Sequence, residues 1–289
     1  MAPLESVPNF SEGRDAATIE ALAAALGAHA RLLDIHSDPD HNRSVFTLVG
    51  DEAELAGALL AAVALARERI DLRLHEGAHP RIGTADVIPV VPIASGDLER
   101  ARRLARELGA AIGALGLPVF LYAPPERGPA FYRRGGSSEL ARRLESGELV
   151  PDFGPARLDP SAGGVIVGAR EALIALNVNL RGPLQAAREI ASLVRESGGG
   201  FSGVRALGLE LPHAGLVQVS MNIEDWRAAP PHELVGAIAA QAALRGLELA
   251  GSELVGLMPA GAALAAAGSA LALEGFDRSK VLELALAEE

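Results

Sequence analysis

A chain of 289 residues, 49% of them hydrophobic, can bury a full core, either as one large domain or as two modules of ordinary size. Its formal net charge of -11 and its 3% of aromatic residues leave neither a basic footprint nor stacking platforms for nucleic acid, which is excluded as a partner. With no cysteine, disulfides, thiolate nucleophiles and sulfur-ligated metals are excluded as well, so any metal site would have to be built from histidine and carboxylate.

No segment approaches eighteen uninterrupted apolar residues, and the N-terminus lacks the basic and apolar blocks of a secretory signal, which predicts a soluble, cytoplasmic protein without a membrane partner. In chain order, residues 4–10 read as a strand, and a helix follows Asp15 with Ile19, Leu22 and Leu26 spaced three and four apart before Gly27. Residues 31–35 and 45–49 read as strands around a polar loop, and Asp51 caps a helix running to about residue 71. A strand at 87–93, a helix at 97–115 and a strand at 119–122 come next, then Gly- and Pro-rich loops over 124–160 with a short helix at 138–145.

The second half gives a strand at 173–179, a helix at 183–195 with proline in its first turn, and a hairpin from 204–211 and 216–222. A helix at 230–245, a strand at 247–257 and an alanine-rich helix at 259–273 complete it. The order of elements predicts an α+β protein of two tandem ferredoxin-like (βαββαβ) subdomains, residues 1–176 and 177–289, with a ligand groove or tunnel between them.

His75-Glu76-Gly77-Ala78-His79 spells the letters of a zinc-protease helix, in which two imidazoles one turn apart hold the metal. Gly77 and Pro80 oppose that reading, because proline pushes the residue before it out of the α region. A loop is expected instead, presenting an imidazole and Arg81 to a cleft. Five of the seven histidines (His29, His36, His41, His75 and His79) fall in the first eighty residues, which favours a shared site. Two further polar loops carry Asp38, Asp40, His41, Asn42 and Arg43, and Asn9, Glu12 and Arg14. Asp38 and Asp40, separated by Pro39, have no third ligand at a familiar spacing, so no metal is expected there. The glycine-rich run from Pro151 to Gly164 lacks dinucleotide spacing and a following helix.

These stretches carry a resemblance. Val7-Pro8-Asn9-Phe10-Ser11-Glu12-Gly13, Asn42-Arg43-Ser44-Val45-Phe46-Thr47, His79-Pro80-Arg81-Ile82-Gly83, Pro151-Asp152-Phe153-Gly154-Pro155, Gly168-Ala169-Arg170, Asn177-Val178-Asn179-Leu180 and Gly251-Ser252-Glu253-Leu254-Val255-Gly256-Leu257 resemble, in order, the formiminotransferase domain of glutamate formimidoyltransferases. The resemblance implies transfer of a formimino group between tetrahydrofolate and glutamate, the last step of one route of histidine breakdown. It also implies two ferredoxin-like subdomains with folate in a tunnel between them, no metal, and small-molecule partners only. The family's catalytic histidine falls on His79, and its folate-contacting loop on Gly154, Pro155, Ala156, Arg157, Leu158, Asp159, Pro160, Ser161, Ala162 and Gly163. Two positions depart from the animal members: His36 replaces an acidic residue, and Ala162 stands in place of a loop aromatic. The cyclodeaminase module of those proteins is not expected, since the chain ends at Glu289.

Within that chemistry the amidinium carbon on folate N5 is electrophilic, while glutamate's amine is protonated at neutral pH and needs a base. An imidazole with a pKa of about 6.5 suits that task, and His79 could return the proton to N5. Arg43, Arg81 and Arg170 are the candidates for gripping carboxylate, with His36, Asp38, His41, Asn42 and Asn9 as supporting polar groups. Three other readings stay open at this level: a related folate-dependent formyl transferase, a zinc hydrolase using His75, His79 and Glu99, and a non-catalytic folate-binding protein. The alanine-rich helices suggest a homodimer.

Overall fold

The computed structural model describes residues 2–94, 96–122 and 127–286. Residues 124–126, part of the expected loop region, lie outside that set. The chain is α+β and divides into two units, Met1–Glu171 and Ala172–Glu289. The division falls after residue 171 rather than 176, because residue 176 lies inside a continuous strand, Ile174–Arg181.

In the first unit the strand expected over 4–10 is two pieces in one row, β1 (Leu4–Ser6) and β2 (Asn9–Phe10). Pro8 has no N–H to give a ladder, although its carbonyl still accepts from Phe46 N at 3.1 Å. Helix α1 (Ala16–Gly27) starts where the Asp15 carboxylate accepts from Ala17 N. Strands β3 (Arg31–Asp38) and β4 (Arg43–Gly50) run further than their apolar stretches, leaving only 39–42 as loop. Helix α2 (Glu52–Arg69) opens with a capping box, Asp51 accepting from Glu54 N and Glu54 from Asp51 N, both at 2.9 Å. A short 3-10 turn, Leu72–Leu74, follows, then β5 (Ala85–Pro92), α3 (Leu98–Ala114), β6 (Val119–Tyr122), α4 (Pro129–Arg133), α5 (Gly136–Glu145) and β7 (Val165–Ala169).

Across this sheet the order is β3, β4, the β1/β2 row, β5, β7, β6. Neighbours as far as β5 are antiparallel, and β7 and β6 extend the sheet in parallel. Strand β7 is absent from the expected elements. All five of its residues are buried, and a parallel strand covered on both faces shows no alternation to read. Ile88, Val90, Val165 and Val167 face the main core with the helices α1, α2 and α3, while Val87, Phe120 and Ile166 face a second cluster with Tyr132, Leu140 and Leu144.

The second unit has β8 (Ile174–Arg181), α6 (Leu184–Val194), β9 (Val204–Leu211), β10 (Leu216–Ile223), α7 (Pro231–Ala243), β11 (Glu248–Val255), α8 (Ala260–Leu271) and α9 (Leu282–Leu286). Its sheet is antiparallel throughout, in the order β11, β8, β10, β9. Alternate residues Ile174, Leu176, Val178 and Leu180 join Ile190, Val194 and Ile238 in its core, so the intervening Asn177 and Asn179 fall on the other face.

One seam of the first unit fixes the site described below. Gly83 and Gly163 approach as an isolated antiparallel bridge, with Gly164 N donating to Ile82 O at 2.9 Å and Thr84 N to Ala162 O at 2.9 Å. Gly163 has φ of 72°, and a Cβ there would sit 2.0 Å from the Ile82 carbonyl oxygen. Gly163→Ala is therefore expected to destabilise the fold by about 2–4 kcal/mol, read as a lower urea midpoint.

Candidate active site

Three loops of the first unit, 11–15, 39–42 and 75–83, meet at Asn42. Its backbone is left-handed, with φ of 47°, a conformation asparagine tolerates better than most residues. The side chain accepts from Gly13 N at 3.0 Å and donates to Glu76 O at 2.9 Å. Its carbonyl lies 3.0 Å from His75 Nε2 and accepts from Arg81 Nη1 at 2.9 Å. The turn before it is set by Asp38, whose Oδ1 accepts from Asp40 N and His41 N, both at 2.7 Å. Ala78 N donates to Asp40 O at 2.9 Å, tying the histidine loop down. Gly13 and Gly77 are required here, since a Cβ would meet Asp38 O at 2.2 Å and His41 O at 2.4 Å respectively.

This geometry overturns the zinc-helix reading. His75 closes the 3-10 turn with extended backbone, φ -99° and ψ 124°, so the two imidazoles do not stand one helical turn apart. His75 is also engaged elsewhere. Arg81 Nη1 lies 2.8 Å from both ring nitrogens; the Asn42 carbonyl can only accept, so Nε2–H donates to it and Nδ1 is left to accept from Arg81. Glu99, the third ligand of that reading, pairs with Arg102 on the exposed face of α3. Among the described residues no three His, Asp or Glu side chains are placed to hold a metal ion.

His79 is half-buried, and its Nε2 lies 2.7 Å from Arg43 Nη1. The same donor-only argument makes Nε2 the acceptor and places the ring proton of the neutral imidazole on Nδ1, which is buried without a partner. Burial first, then repulsion involving Arg43, Arg133, His41 and Arg81 in that order, holds His79 well below the usual histidine pKa. The His41 ring lies 5.9 Å away, tilted by 30°. Burial, with repulsion from Arg133 and Arg81, pushes the pKa of Arg43 down to about 9, and Asp86 opposes that shift. The result is a neutral base inside a cationic pocket.

Of the other expected site residues, Asp38, His41, Asn42, Arg43 and Arg81 converge on this centre. Arg81 is committed to the loop itself, donating to the carbonyls of His41, Asn42 and His79 at 2.7, 2.9 and 2.8 Å. His36 lies on β3 opposite Val45, and Asn9 is buried with its amide on Val7 O at 2.7 Å. Arg170 does not converge: its N–H donates to Val90 O, four residues along β5 from Asp86, and its side chain acts on Glu5 and Tyr122. In the loop 154–163, Ala162 is 1% exposed and packs in the core, whereas Pro155, Arg157, Asp159 and Pro160 line an open cleft of about 310 Å³ with Arg67 and Gly116. Asp159 shapes the loop through Ser161 N and Oγ at 2.8 and 2.7 Å.

Two residues were not anticipated. Asp86, 2% exposed, accepts from Ile82 N at 2.8 Å and pairs closely with Arg133. A lone carboxylate in the apolar run of β5 was the signal, because a buried charge requires a partner. Arg133 comes from α4, which is fixed by Tyr132: its hydroxyl donates to Leu121 O at 2.7 Å and its ring lies 5.1 Å from that of Phe120. Nothing in its sequence spacing separates Arg133 from neighbouring arginines.

Comparison with known proteins gives matches to the formiminotransferase domain, N-terminal subdomain, over residues 3–170 and to the formiminotransferase domain over residues 175–276. The chain belongs to the formiminotransferase family. It is 39% identical to the glutamate formimidoyltransferase of Thermoplasma acidophilum, over 98% of this chain and 97% of that protein. It is 37% identical to the one of Streptococcus pyogenes serotype M1, over 96% of each. The formimidoyltransferase-cyclodeaminase of Dictyostelium discoideum is 36% identical over 99% of this chain and 56% of that larger protein. The two matched segments of this formiminotransferase fall one in each unit.

The site also sets a pH response of the fold. Burial and the neighbouring Arg81 push the pKa of His75 down to about 4, whereas the unfolded chain's histidine titrates near the ordinary value of about 6.5. Between those values the unfolded state binds the proton and the folded state does not, so stability is present above about pH 6.5 and declines as pH falls toward about 4. His79 acts in the same direction. The urea midpoint is expected to drop over that interval, and to drop less in His75→Gln.

Proposed function

We propose that this protein moves a formimino group between N5 of tetrahydrofolate and L-glutamate, with His79 as general acid and base. The observation that carries the reading is the ordered imidazole, neutral and with its Nε2 lone pair held in a pocket of guanidinium groups. A base for this reaction must be unprotonated at working pH, and an amino-acid dicarboxylate calls for cations around it. Both requirements meet at one ring. The near full-length likeness to proteins named glutamate formimidoyltransferase supports the same assignment.

Tetrahydrofolate, as co-substrate, supplies the nitrogen that carries the one-carbon unit. Glutamate's ammonium first loses a proton to solvent; as the resulting amine bonds the amidinium carbon, Nε2 of His79 takes the second proton, which that nitrogen then sheds. The imidazole then passes the proton to N5, the carbon–N5 bond breaks, and the ring is neutral again. The reverse reaction runs through the same transfers. Arg81 and Asn42 keep the loop in place, and the residues lining the cleft, Pro155, Arg157, Asp159 and Pro160, are the part of the expected folate loop open to a ligand.

The finer fold reading belongs to this proposal. Each unit carries the element order of a ferredoxin-like subdomain, and the strand orders β3, β4, β1/β2, β5 and β9, β10, β8, β11 support it. The folate tunnel rests on the family resemblance. No helix among the described residues is long and apolar enough to cross a membrane.

The test is a turnover assay with formiminoglutamate and tetrahydrofolate, following loss of the amidine. His79→Ala is expected to lower kcat by about 10²–10⁴-fold, the range of a lost general acid–base group. Equilibrium binding of tetrahydrofolate should survive the substitution. Absence of product from folded wild-type protein would refute the assignment.

A further inference from the structure

The pocket around His79 has more positive charge than it has partners for. The Arg43 side chain makes one hydrogen bond, to His79 Nε2, and its Nε is buried without a partner. Arg133, with 14% of its side chain exposed, has one partner, Asp86, and its Nε is likewise buried and unsatisfied. His79 Nδ1 is a third orphan, and the charge of Arg133 acts on both His79 and Arg43. Buried donors left unpaired are costly, and three of them at one cationic centre mark a place for an anion. Arg81 does not fill that role, since its guanidinium is held by backbone carbonyls.

The bond between Arg43 and His79 has a second consequence. Nε2 is the nitrogen that must exchange protons in the proposed reaction, and here a guanidinium covers it. A carboxylate competes well for that guanidinium, because a charge-assisted pair is stronger than a bond to a neutral ring.

We propose that Arg133 and Arg43 together form the subsite for a carboxylate of the amino-acid substrate, and that the bound carboxylate draws Arg43 off Nε2 and frees the imidazole. The α-carboxylate fits, because it shares one carbon with the reacting nitrogen and so carries that nitrogen to the ring. The Arg43 N–H that pointed at Nε2 is then donated to the carboxylate oxygen, and Nε2 accepts the proton of the substrate nitrogen. Asp86 is the positioning residue: it anchors Arg133 on one side and the Ile82 N–H of the histidine loop on the other. Substrate thereby switches on its own base. An empty site keeps the imidazole capped. This inference rests on the formimino-transfer reading.

The experiment pairs kinetics with a titration of His79 by NMR of protein carrying 15N-labelled histidine, with L-glutamate as the probe. The charged and titratable groups acting on that ring are Arg43, Arg133, His41 and Arg81, with Asp86 acting through Arg133. Saturating glutamate should raise the titration midpoint of His79 in the wild type. Removing Arg133 alone would strand the buried Asp86, so the variant is the double change Arg133→Gln with Asp86→Asn, beside Arg133→Lys. In the double variant KM for formiminoglutamate should rise about 10–100-fold, as for a lost charge-assisted contact, with tetrahydrofolate binding unchanged and the glutamate-induced shift gone. Arg133→Lys, which keeps the charge without the fork, should fall between the two. The proposal is overturned if the double variant folds and keeps the wild-type KM, or if glutamate leaves the His79 titration of the wild type where it was. Should wild-type protein transfer nothing, the activity assignment fails, and the glutamate-dependent titration alone decides the subsite.

Discussion

Asn42 is the point on which the site turns. One left-handed residue lets the β3–β4 hairpin close in four residues, and its amide and carbonyl then serve three loops at once. A residue with only a backbone to offer would leave Gly13 N and Glu76 O without those partners, and a β-branched residue would resist the turn itself. The histidine loop has little regular structure of its own to hold it. Its order comes from carbonyls presented to Arg81 and from the Asp40 carbonyl that receives Ala78 N.

The electrostatic logic follows from that packing. Guanidinium groups stay charged where an ammonium would more readily lose its proton, so Arg43, Arg81 and Arg133 hold positive charge in a partly buried pocket. The imidazole among them answers by remaining neutral. Asp86, the carboxylate paired with Arg133, is bound to the same loop through Ile82 N, so charge balance and loop position are set by one side chain.

Much of this was legible in the residues. Pro80 and Gly77 argued correctly against a helix through His75 and His79, and the helices came from spacing and caps at Asp15 and Asp51. The apolar runs 31–35 and 45–49 mark the hairpin strands too short, because side-chain polarity does not end a ladder: backbone pairing continues through Asp38 and Arg43. Strand β7 was invisible to alternation because both its faces are covered. The role of Arg133 depends on Tyr132 docking under β6, a contact between distant parts of the chain that no local pattern encodes. Arg170 failed to join the site for a related reason: which end of a strand a residue occupies follows from register, and the parallel pairing of β5 with β7 was not foreseen.

The seam at Gly83 and Gly163 divides the loop 154–163 into parts with different freedom. Residues 162–164 are bonded peptide to peptide with the stretch that leads out of the histidine loop, while Pro155, Arg157 and Pro160 line open space. Mutation can therefore reshape the tip, which the proposed function assigns to folate, without displacing the imidazole. Tip and imidazole are mechanically insulated, which leaves the tip free to drift while the histidine loop stays in place.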